Sequence, residues 1–404
     1  MASKKRENKR KATIKKFKTN KYYYAFVAVV LIIAILVVGL DYKFRFGLID
    51  WSATVESTEE SQSNESYEQT FVDELGDLTV KFIDVGQGDA IFIIFPDGKT
   101  MLIDAGKNTN SAKTALDENL IVNGQKAVLD YVVATHSDDD HIGSMPYVYE
   151  NYQVNKSYRP YTKAINANAE SFTDIFNKGY TEKASKIYYE YLLGVQNENT
   201  PCEFFYDGSD FQTVANSDDE SISYKVDFVM PYAKTLDGFN ALGKNVNDPS
   251  AIIIIEFAGK KIMFTGDIEE KAEEAFVSYY EQNSSEADYL DVDVLKVAHH
   301  GSDTSSSFDF LSLVKPEHVV ISCGIGNSYQ HPCDEALNNI IGIQSTLNVT
   351  DGKPIYRTDL HGTVVLTVTA EGEMTFTVET TENDEFLLYN GTQIAEVENQ
   401  IIKP

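Results

Sequence analysis

The stretch DYVVATHSDDDHIG, residues 130–143, decides how this sequence is interpreted. Its first five residues form the kind of apolar run found in buried strands. The polar run that follows carries imidazole and carboxylate side chains at His136, Asp138, Asp140 and His141. A tight loop after a strand directs such side chains into one pocket, where the acidic groups would repel one another without a cation. The segment therefore predicts a site for a divalent metal ion, rather than a solvated loop with incidental histidines.

Two later segments repeat this arrangement of a strand followed by ligand-type residues. The sequence LKVAHHGS, residues 295–302, brings His299 and His300 after an apolar run, and both imidazoles are candidate ligands. The sequence KIMFTGD, residues 261–267, ends in Asp267, whose carboxylate could bridge two ions. Either segment alone is a weak signal, but their order along the chain favours one site built from several strand ends.

Short apolar runs recur from Leu78 onward, bounded by Gly, Asp, Asn and Pro as strands are. Helical patterns at residues 269–280 and 309–313 lie between them, which indicates a layered α/β domain. The region 146–225 is less regular. Within it, residues 183–194 predict a helix whose tyrosines pack against the core rather than stack on a substrate.

The net charge of −28 over 404 residues hides an asymmetry. Residues 1–21 hold ten of the 34 Lys and Arg residues and one of the 62 acidic residues, so the remainder has a net charge of −37. A protein surface this acidic repels the phosphate backbones of nucleic acids and anionic membranes. No stable nucleic-acid partner is therefore predicted. An anionic substrate must be attracted locally, which a bound metal ion would do.

Residues 22–40 read YYYAFVAVVLIIAILVVGL, an uncharged run of the length that a membrane-spanning helix needs. The cations before it predict that the N-terminus stays in the cytoplasm and that the bulk of the chain lies outside. A cleaved signal peptide is the competing interpretation, but the run ends Gly39-Leu40-Asp41, a poor cleavage site. The following residues 52–76 have the composition of a polar tether.

The cysteine pattern excludes a disulfide scaffold and a cysteine-type zinc site, because only three cysteines occur and none forms a CxxC pair. A bridge between Cys323 and Cys333 is left open, as is the oligomeric state.

Taken together, these segments resemble the metallo-β-lactamase fold, in the HxDxDH form of the domain attached to the ComEC competence proteins. Further matching segments follow in one order: FIDVGQGDA (82–90), LIDAG (102–106), TGD (265–267), HHGS (299–302), Asn327 with HP (331–332), and YRTD (356–359). The resemblance extends from Leu78 to Val378 and implies an αββα sandwich with a metal site at one edge and a hydrolytic activity. Among relatives, similar domains cut phosphodiesters in nucleic acids or cell-wall polymers.

The resemblance and the strand-end pattern together predict roles for individual residues. One ion would be held by His136, Asp138 and His299, the other by Asp140, His141 and His300, and Asp267 would bridge them. Candidate catalytic residues are Asp140, His300 and His331, the last either as a proton donor to a leaving group or as a structural loop histidine. Supporting or substrate-contacting roles are predicted for Asp84, Asp104, Asn247 (paired with Asp248), Asn327 and Ser302.

The sequence departs from the common family pattern in two ways. Asp138 stands where most β-lactamases and glyoxalases have His, and no histidine lies between His141 and His299. A carboxylate-rich ligand set shifts the preference from zinc towards manganese or iron, so the expected cofactor is one or two divalent ions, zinc or manganese. Nothing resembles the multi-helix channel of ComEC, so DNA uptake does not follow from the resemblance.

The sequence thus predicts a membrane-anchored extracellular hydrolase that uses metal ions to activate water and acts on phosphodiesters. Cleavage of C–N or C–O bonds, as in lactamases and lactonases, is the first alternative, and a surface binding module with a residual metal site is the second. The predicted organisation is a basic cytoplasmic tail (1–21), a transmembrane anchor (22–40), a polar acidic linker (41–76), the metallo-β-lactamase-like hydrolase domain (77–380) and a C-terminal extension (381–404).

Overall fold

Two eight-stranded sheets form the centre of this protein in the computed structural model. The structure describes residues 70–72, 75–160, 183–206, 214–216, 223–233, 236–242, 245–347 and 355–380. The strands are β1 (Thr70–Val72), β2 (Leu78–Phe82), β3 (Ile91–Ile94), β4 (Thr100–Ile103), β5 (Ile121–Val122), β6 (Gln125–Lys126), β7 (Leu129–Val133), β8 (Val154–Arg159), β9 (Cys202–Phe204), β10 (Val214–Asn216), β11 (Ser223–Phe228), β12 (Ile253–Phe257), β13 (Lys260–Phe264), β14 (Val294–Lys296), β15 (His318–Ile321), β16 (Ile355–Arg357), β17 (Val364–Val368) and β18 (Met374–Val378).

Helices lie between the strands along the chain. They are α1 (Asn110–Asn119), α2 (Asp139–Ile142), α3 (Met145–Asn151), α4 (Lys183–Glu198), α5 (Leu236–Ala241), α6 (Glu270–Gln282), α7 (Phe308–Val314), α8 (Asp334–Thr346) and α9 (Thr358–His361), with 3₁₀ turns at Ala287–Leu290 and Ala298–Gly301. The helices predicted at 183–194, 269–280 and 309–313 correspond to α4, α6 and α7.

Each sheet takes most of its strands from one part of the chain. One sheet runs β18-β17-β2-β3-β4-β7-β8-β9 and the other β1-β10-β11-β12-β13-β14-β15-β16. Strands β4, β7 and β8 are parallel in the first, and β13 to β16 are parallel in the second. The edge strand β1 lies in the segment that the sequence analysis assigned to the linker.

The two sheets pack against each other through the apolar faces of their strands. Leu78, Val80 and Phe82 of β2 are buried while the residues between them are partly exposed, as expected for a strand with one face in the core. The Phe82 ring lies 6.1 Å from that of Phe264 in β13, so side chains from the two sheets meet. Burying such aromatic side chains contributes roughly 1.5–3 kcal/mol each relative to exposure.

Helices cover the outer faces of both sheets. Leu116 of α1 and Tyr191 of α4 share a buried cluster with Val132 of β7, and Phe276 of α6 packs against Phe310 of α7 at 5.5 Å. The tyrosines of α4 therefore contribute to the core, as the sequence predicted. The layers together form an αββα sandwich.

None of the described helices is long and apolar enough to span a bilayer. The predicted anchor at 22–40, with the tail before it, lies outside the described residues, and so does the C-terminal extension 381–404.

The parallel strands place the predicted site residues at one end of the two sheets. His136 follows β7, Asp104 follows β4, Asp267 follows β13 and the pair His299-His300 follows β14. Because the carboxyl ends of parallel neighbouring strands lie along the same edge, residues distant in sequence meet there.

Candidate metal centre

The Asp267 carboxylate is the point at which four histidines meet. Its Oδ2 atom lies 3.1 Å from His141 Nε2 and 3.3 Å from His300 Nε2. The Nε2 atoms of His136 and His299 are each 3.9 Å from the same oxygen. All but His299 are buried. The fold therefore brings together the predicted histidines of both sheets around the predicted bridging carboxylate.

The second ring nitrogen of each histidine contacts a neighbour that fixes the ring. The contacts are His136 Nδ1 to Thr135 Oγ1 at 3.1 Å, His141 Nδ1 to Asp104 Oδ2 at 2.7 Å, His299 Nδ1 to Thr304 Oγ1 at 3.1 Å and His300 Nδ1 to the Ser322 carbonyl at 2.8 Å. A hydrogen bond at Nδ1 leaves the Nε2 lone pair free for a metal ion, which is the usual arrangement of a metal-binding histidine.

Asp138 and Asp140 flank the start of α2 on the outer side of the centre. The Asp140 carboxylate is 3.7 Å from His300 Nε2. Its backbone carbonyl accepts a hydrogen bond from Asp89 N, and a Cβ at Gly88 would lie only 2.1 Å from that carbonyl. Gly88 thus lets the loop before β3 reach the HxDxDH segment.

Burial raises the pKa of Asp138 to about 6.

Asp89 lies in the segment FIDVGQGDA (82–90), and the sequence predicted no role for it. Ligand atoms of Asp89, His141, Asp267 and His300 all lie within 4.8 Å of one another. Asp89 Oδ2 is paired with the buried Lys296 ammonium, however, and Oδ1 is 3.3 Å from His300 Nδ1, the ring nitrogen that faces away from Asp267. Asp89 therefore supports His300 rather than the ion. A charged Lys296 inside the apolar run of β14 was the sequence signal for such a partner.

Asn247 contacts Glu269, a second residue for which the sequence predicted no role. Its side-chain amide donates to Glu269 Oε1 at 2.7 Å, and Asn245 donates to the other oxygen. Glu269 Oε1 is in turn 3.3 Å from His299 Nδ1. Asp248 has a different role, because its carboxylate accepts from the backbone at the start of α6.

Charge inside the cluster follows from these contacts. Burial alone would lower the pKa of His141 and His300, but the carboxylates outweigh it. Asp267 and Asp104 raise the pKa of His141 well above its usual value, and Asp267 and Asp89 raise that of His300 to about 9. Burial and the neighbouring His141 lower the pKa of His136 well below its usual value.

The donor set fits a divalent ion. His136 Nε2 and Asp267 Oδ1 are buried without a hydrogen-bond partner among the described residues, an arrangement that costs stability unless a ligand satisfies it. Imidazole nitrogens and carboxylate oxygens are ligands for zinc, manganese and iron.

Comparison with known proteins agrees with this geometry. Residues 83–214 match the metallo-β-lactamase superfamily model. The chain is 25% identical to ComE operon protein 3 of Bacillus subtilis over 70% of its own length and 32% of that protein, and 36% identical to competence protein ComA of Neisseria gonorrhoeae over 30% and 16%. It therefore spans about a third or less of these relatives. These matches support a ComEC-like metallo-β-lactamase-fold domain.

Similarity to solved structures concerns the fold alone. CmlA, a diiron β-hydroxylase from Streptomyces venezuelae, is 13% identical, with a TM-score of 0.38, over 73% of this chain and 54% of that one.

His331 and Asn327 of this metallo-β-lactamase-like domain lie on the loop after β15. The Asn327 amide donates to the carbonyls of Gly324 and His331, and its oxygen accepts from His331 N at 2.9 Å, so Asn327 shapes the loop. The His331 ring stacks on that of His300 at 6.1 Å. Burial, with the nearby histidines, lowers the pKa of His331 to about 4, so at neutral pH it is uncharged. The predicted proton donation would need the charged form.

Two other predicted residues have local roles. The Asp84 carboxylate accepts from Gly86 N at 3.0 Å and thereby shapes a turn. Ser302 Oγ is 3.0 Å from Thr304 Oγ1, the atom that contacts His299.

The three cysteines are not bridged to one another, so the open Cys323–Cys333 pairing does not form.

Asp104→Asn is expected to weaken metal binding about 10- to 100-fold. The wild-type carboxylate accepts from Thr135 N, Thr135 Oγ1 and His141 Nδ1, and an amide with one acceptor oxygen cannot hold all three donors. Titration against a chromophoric chelator measures the affinity, with the exposed Asp309→Asn as the matched control. An affinity within about twofold of wild type would show that Asp104 does not orient His141.

Proposed function

We propose that this domain is a metal-dependent phosphodiesterase, held on the outer face of a membrane and acting on nucleic acid or cell-wall phosphodiesters. The observation that supports it most directly is the convergence of four Nε2 atoms on Asp267, next to an open cavity. The cavity has a volume of about 260 Å³, and its lining includes Asp138 and Asp140. The apolar segment 22–40 supports the membrane location.

We assign the ligand residues to two sets that share Asp267. His136, Asp138 and His299 would hold one ion, and Asp140, His141 and His300 the other. A bound ion would supply the polarisation of the electrophile and the lowering of the pKa of water that hydrolysis near neutral pH needs. The carboxylates at Asp138 and Asp140 favour manganese or iron over zinc.

The protein's own groups prepare the site for that ion. Asp104 and the Ser322 carbonyl hold the rings of His141 and His300 so that their Nε2 atoms face Asp267. Glu269 does the same for His299 from the helix side. Because these ligand side chains are already oriented, they need not be ordered when the ion binds.

A side-by-side assay tests the proposal. The full-length chain would be analysed for bound metals and then assayed with bis(p-nitrophenyl) phosphate, single- and double-stranded DNA, and a chromogenic lactam. We expect metal-dependent turnover of the phosphodiesters, and loss of that turnover in Asp267→Asn. Turnover of the lactam alone would contradict the proposal, and metal binding without any turnover would favour a binding module instead.

Hydrolysis of a C–N or C–O bond is the second candidate. Asp138, Asp139 and Asp140 all line the cavity, and the chain carries a net charge of −28, both of which favour an uncharged substrate. The lactam in the same assay, together with an aliphatic lactone, distinguishes this activity.

Metal binding is expected to release protons at neutral pH. The pKa of His300 is raised to about 9, so its ring carries a proton at pH 7 that an ion must displace, and the carboxylates around His141 raise the pKa of that ring as well. Affinity should therefore rise as the pH increases from 7 towards 9, by about tenfold per unit for each proton released. Calorimetry in buffers of different ionisation enthalpy counts the protons. A count of zero at pH 7 would contradict this charge assignment.

A further inference from the structure

The cavity beside the metal centre has features that the ligand residues do not account for. Its lining combines the acidic run of the HxDxDH segment with one cation, Lys107, the apolar Ile187 and the aromatic Tyr329. Lys107 comes from the loop after β4, Ile187 from α4 and Tyr329 from the loop after β15. Together with the HxDxDH segment, four separate parts of the fold therefore meet at this cavity.

Tyr329 contributes an aromatic ring to the lining of the cavity. One face of its ring stacks on His331, with the ring centroids 5.6 Å apart and the planes 25° from parallel. The side chain is nevertheless 61% exposed, so the other face is open to a ligand. His331 stacks in turn on His300, which connects this platform to the metal centre.

The loop that carries Tyr329 is held in place before any ligand arrives. Asn327 bonds the carbonyls of Gly324 and His331 across the loop, and Gly324 N donates to Gln87 Oε1 at 3.2 Å. A Cβ at Gly324 would lie 2.5 Å from Gln87 N, so only glycine permits this close approach. An aromatic side chain on a fixed loop loses little conformational entropy on binding.

Lys107 is available to an anionic group. Its ammonium is 3.8 Å from the Asp139 carboxylate, and both side chains are well exposed, at 50% and 36%. An exposed ion pair at that distance contributes little, so a ligand anion can replace Asp139 at small cost.

We propose that Tyr329 and Lys107 form a specificity subsite that binds a flat ring together with the anionic group attached to it, as in a nucleotide unit. The ring stacks on Tyr329, and the anion lies towards Lys107. The proposal rests on the phosphodiesterase function for its place in a reaction, but the subsite itself is a binding site and can be tested without turnover.

Calorimetric titration of the full-length protein with three probes tests the subsite, with Mn²⁺ present throughout. The probes are adenosine 5′-monophosphate, which has ring and anion, ribose 5-phosphate, which lacks the ring, and adenosine, which lacks the anion. We expect the nucleotide to bind about tenfold or more tightly than ribose 5-phosphate, as base stacking on an aromatic side chain provides. Because both probes carry the same phosphate, the difference in their affinities reports on the ring.

Variants separate the two components. Tyr329→Ala should remove the preference for the nucleotide over ribose 5-phosphate, whereas Tyr329→Phe should keep it. Lys107→Ala should weaken both phosphates by the same factor and leave adenosine unchanged. The matched controls are Phe308→Ala, an exposed aromatic outside the cavity lining, and Lys315→Ala, a similarly exposed lysine in a weak ion pair.

Equal affinities of the wild type for the nucleotide and ribose 5-phosphate, or a preference that survives Tyr329→Ala, would overturn the subsite. Failure of the enzymatic proposal gives a different result. In that case the nucleotide preference and its dependence on Tyr329 are present, but no phosphodiester is hydrolysed. Hydrolysis without any ring preference rejects the subsite alone.

Discussion

Asp267→Asn is expected to reduce metal affinity by at least about a hundredfold and to abolish metal-dependent hydrolysis. The substitution keeps the shape of the side chain but removes the anionic oxygen on which the Nε2 atoms of His141 and His300 converge at 3.1 and 3.3 Å. Replacing residues that only support ligands typically costs about 10- to 100-fold in affinity, so a residue at the centre of the ligand set should cost more.

Competition with a chelator and elemental analysis of the purified protein measure this loss. Asp309→Asn is the matched control, since it makes the same chemical change at an exposed position in α7. Metal content equal to wild type in Asp267→Asn would mean that the ion, if bound, lies elsewhere.

Lys296→Met is expected to destabilise the metal-free protein by about 3–5 kcal/mol, the usual cost of breaking a buried ion pair from one side. Lys296 and Asp89 are both buried, and their side chains form an ion pair. Burial would raise the pKa of Asp89, but Lys296 and then His300 lower it to about 2. Methionine fills a similar volume and leaves the Asp89 charge without its main partner.

The pH dependence of this loss has a definite sign. A carboxylate whose pKa is depressed on folding contributes stability above its unfolded value, about 3.9, and that contribution disappears as the pH falls through the folded value. The difference between wild type and Lys296→Met should therefore be largest near neutral pH and shrink below about pH 4. Urea unfolding with a chelator present, at a series of pH values, measures it.

A second substitution separates charge from packing. Asp89→Asn in the Lys296→Met background removes the unpaired charge, so most of the lost stability should return. If the double variant is no more stable than Lys296→Met, the defect comes from lost packing and the ion-pair explanation is wrong.

Sequence patterns located the centre because its residues follow strands. His136, His141, Asp267 and His300 each lie within a few residues of an apolar run, and parallel strands bring their carboxyl ends to one edge. A layered α/β class was predictable for the same reason, since the alternation in β2 and the buried runs of β12 and β14 are visible in the sequence, whereas the αββα arrangement was implied by the family resemblance.

The supporting residues could not be assigned in this way. Asp89 and Lys296 are separated by more than two hundred positions, and Glu269 had no pattern of its own. Asn327 was predicted to support the site or contact substrate, yet its hydrogen bonds hold the loop that presents Tyr329.

By itself, the sequence determined that imidazoles and carboxylates stand at strand ends, because strand propensity and ligand chemistry are properties of short segments. Only the tertiary structure decided what each group contacts. Asp104 turns His141, the Ser322 carbonyl turns His300, and Asp267 faces both. Such roles depend on distances of about 3 Å between different strands and loops, and hydrogen-bond geometry of that kind is set by packing rather than by local sequence.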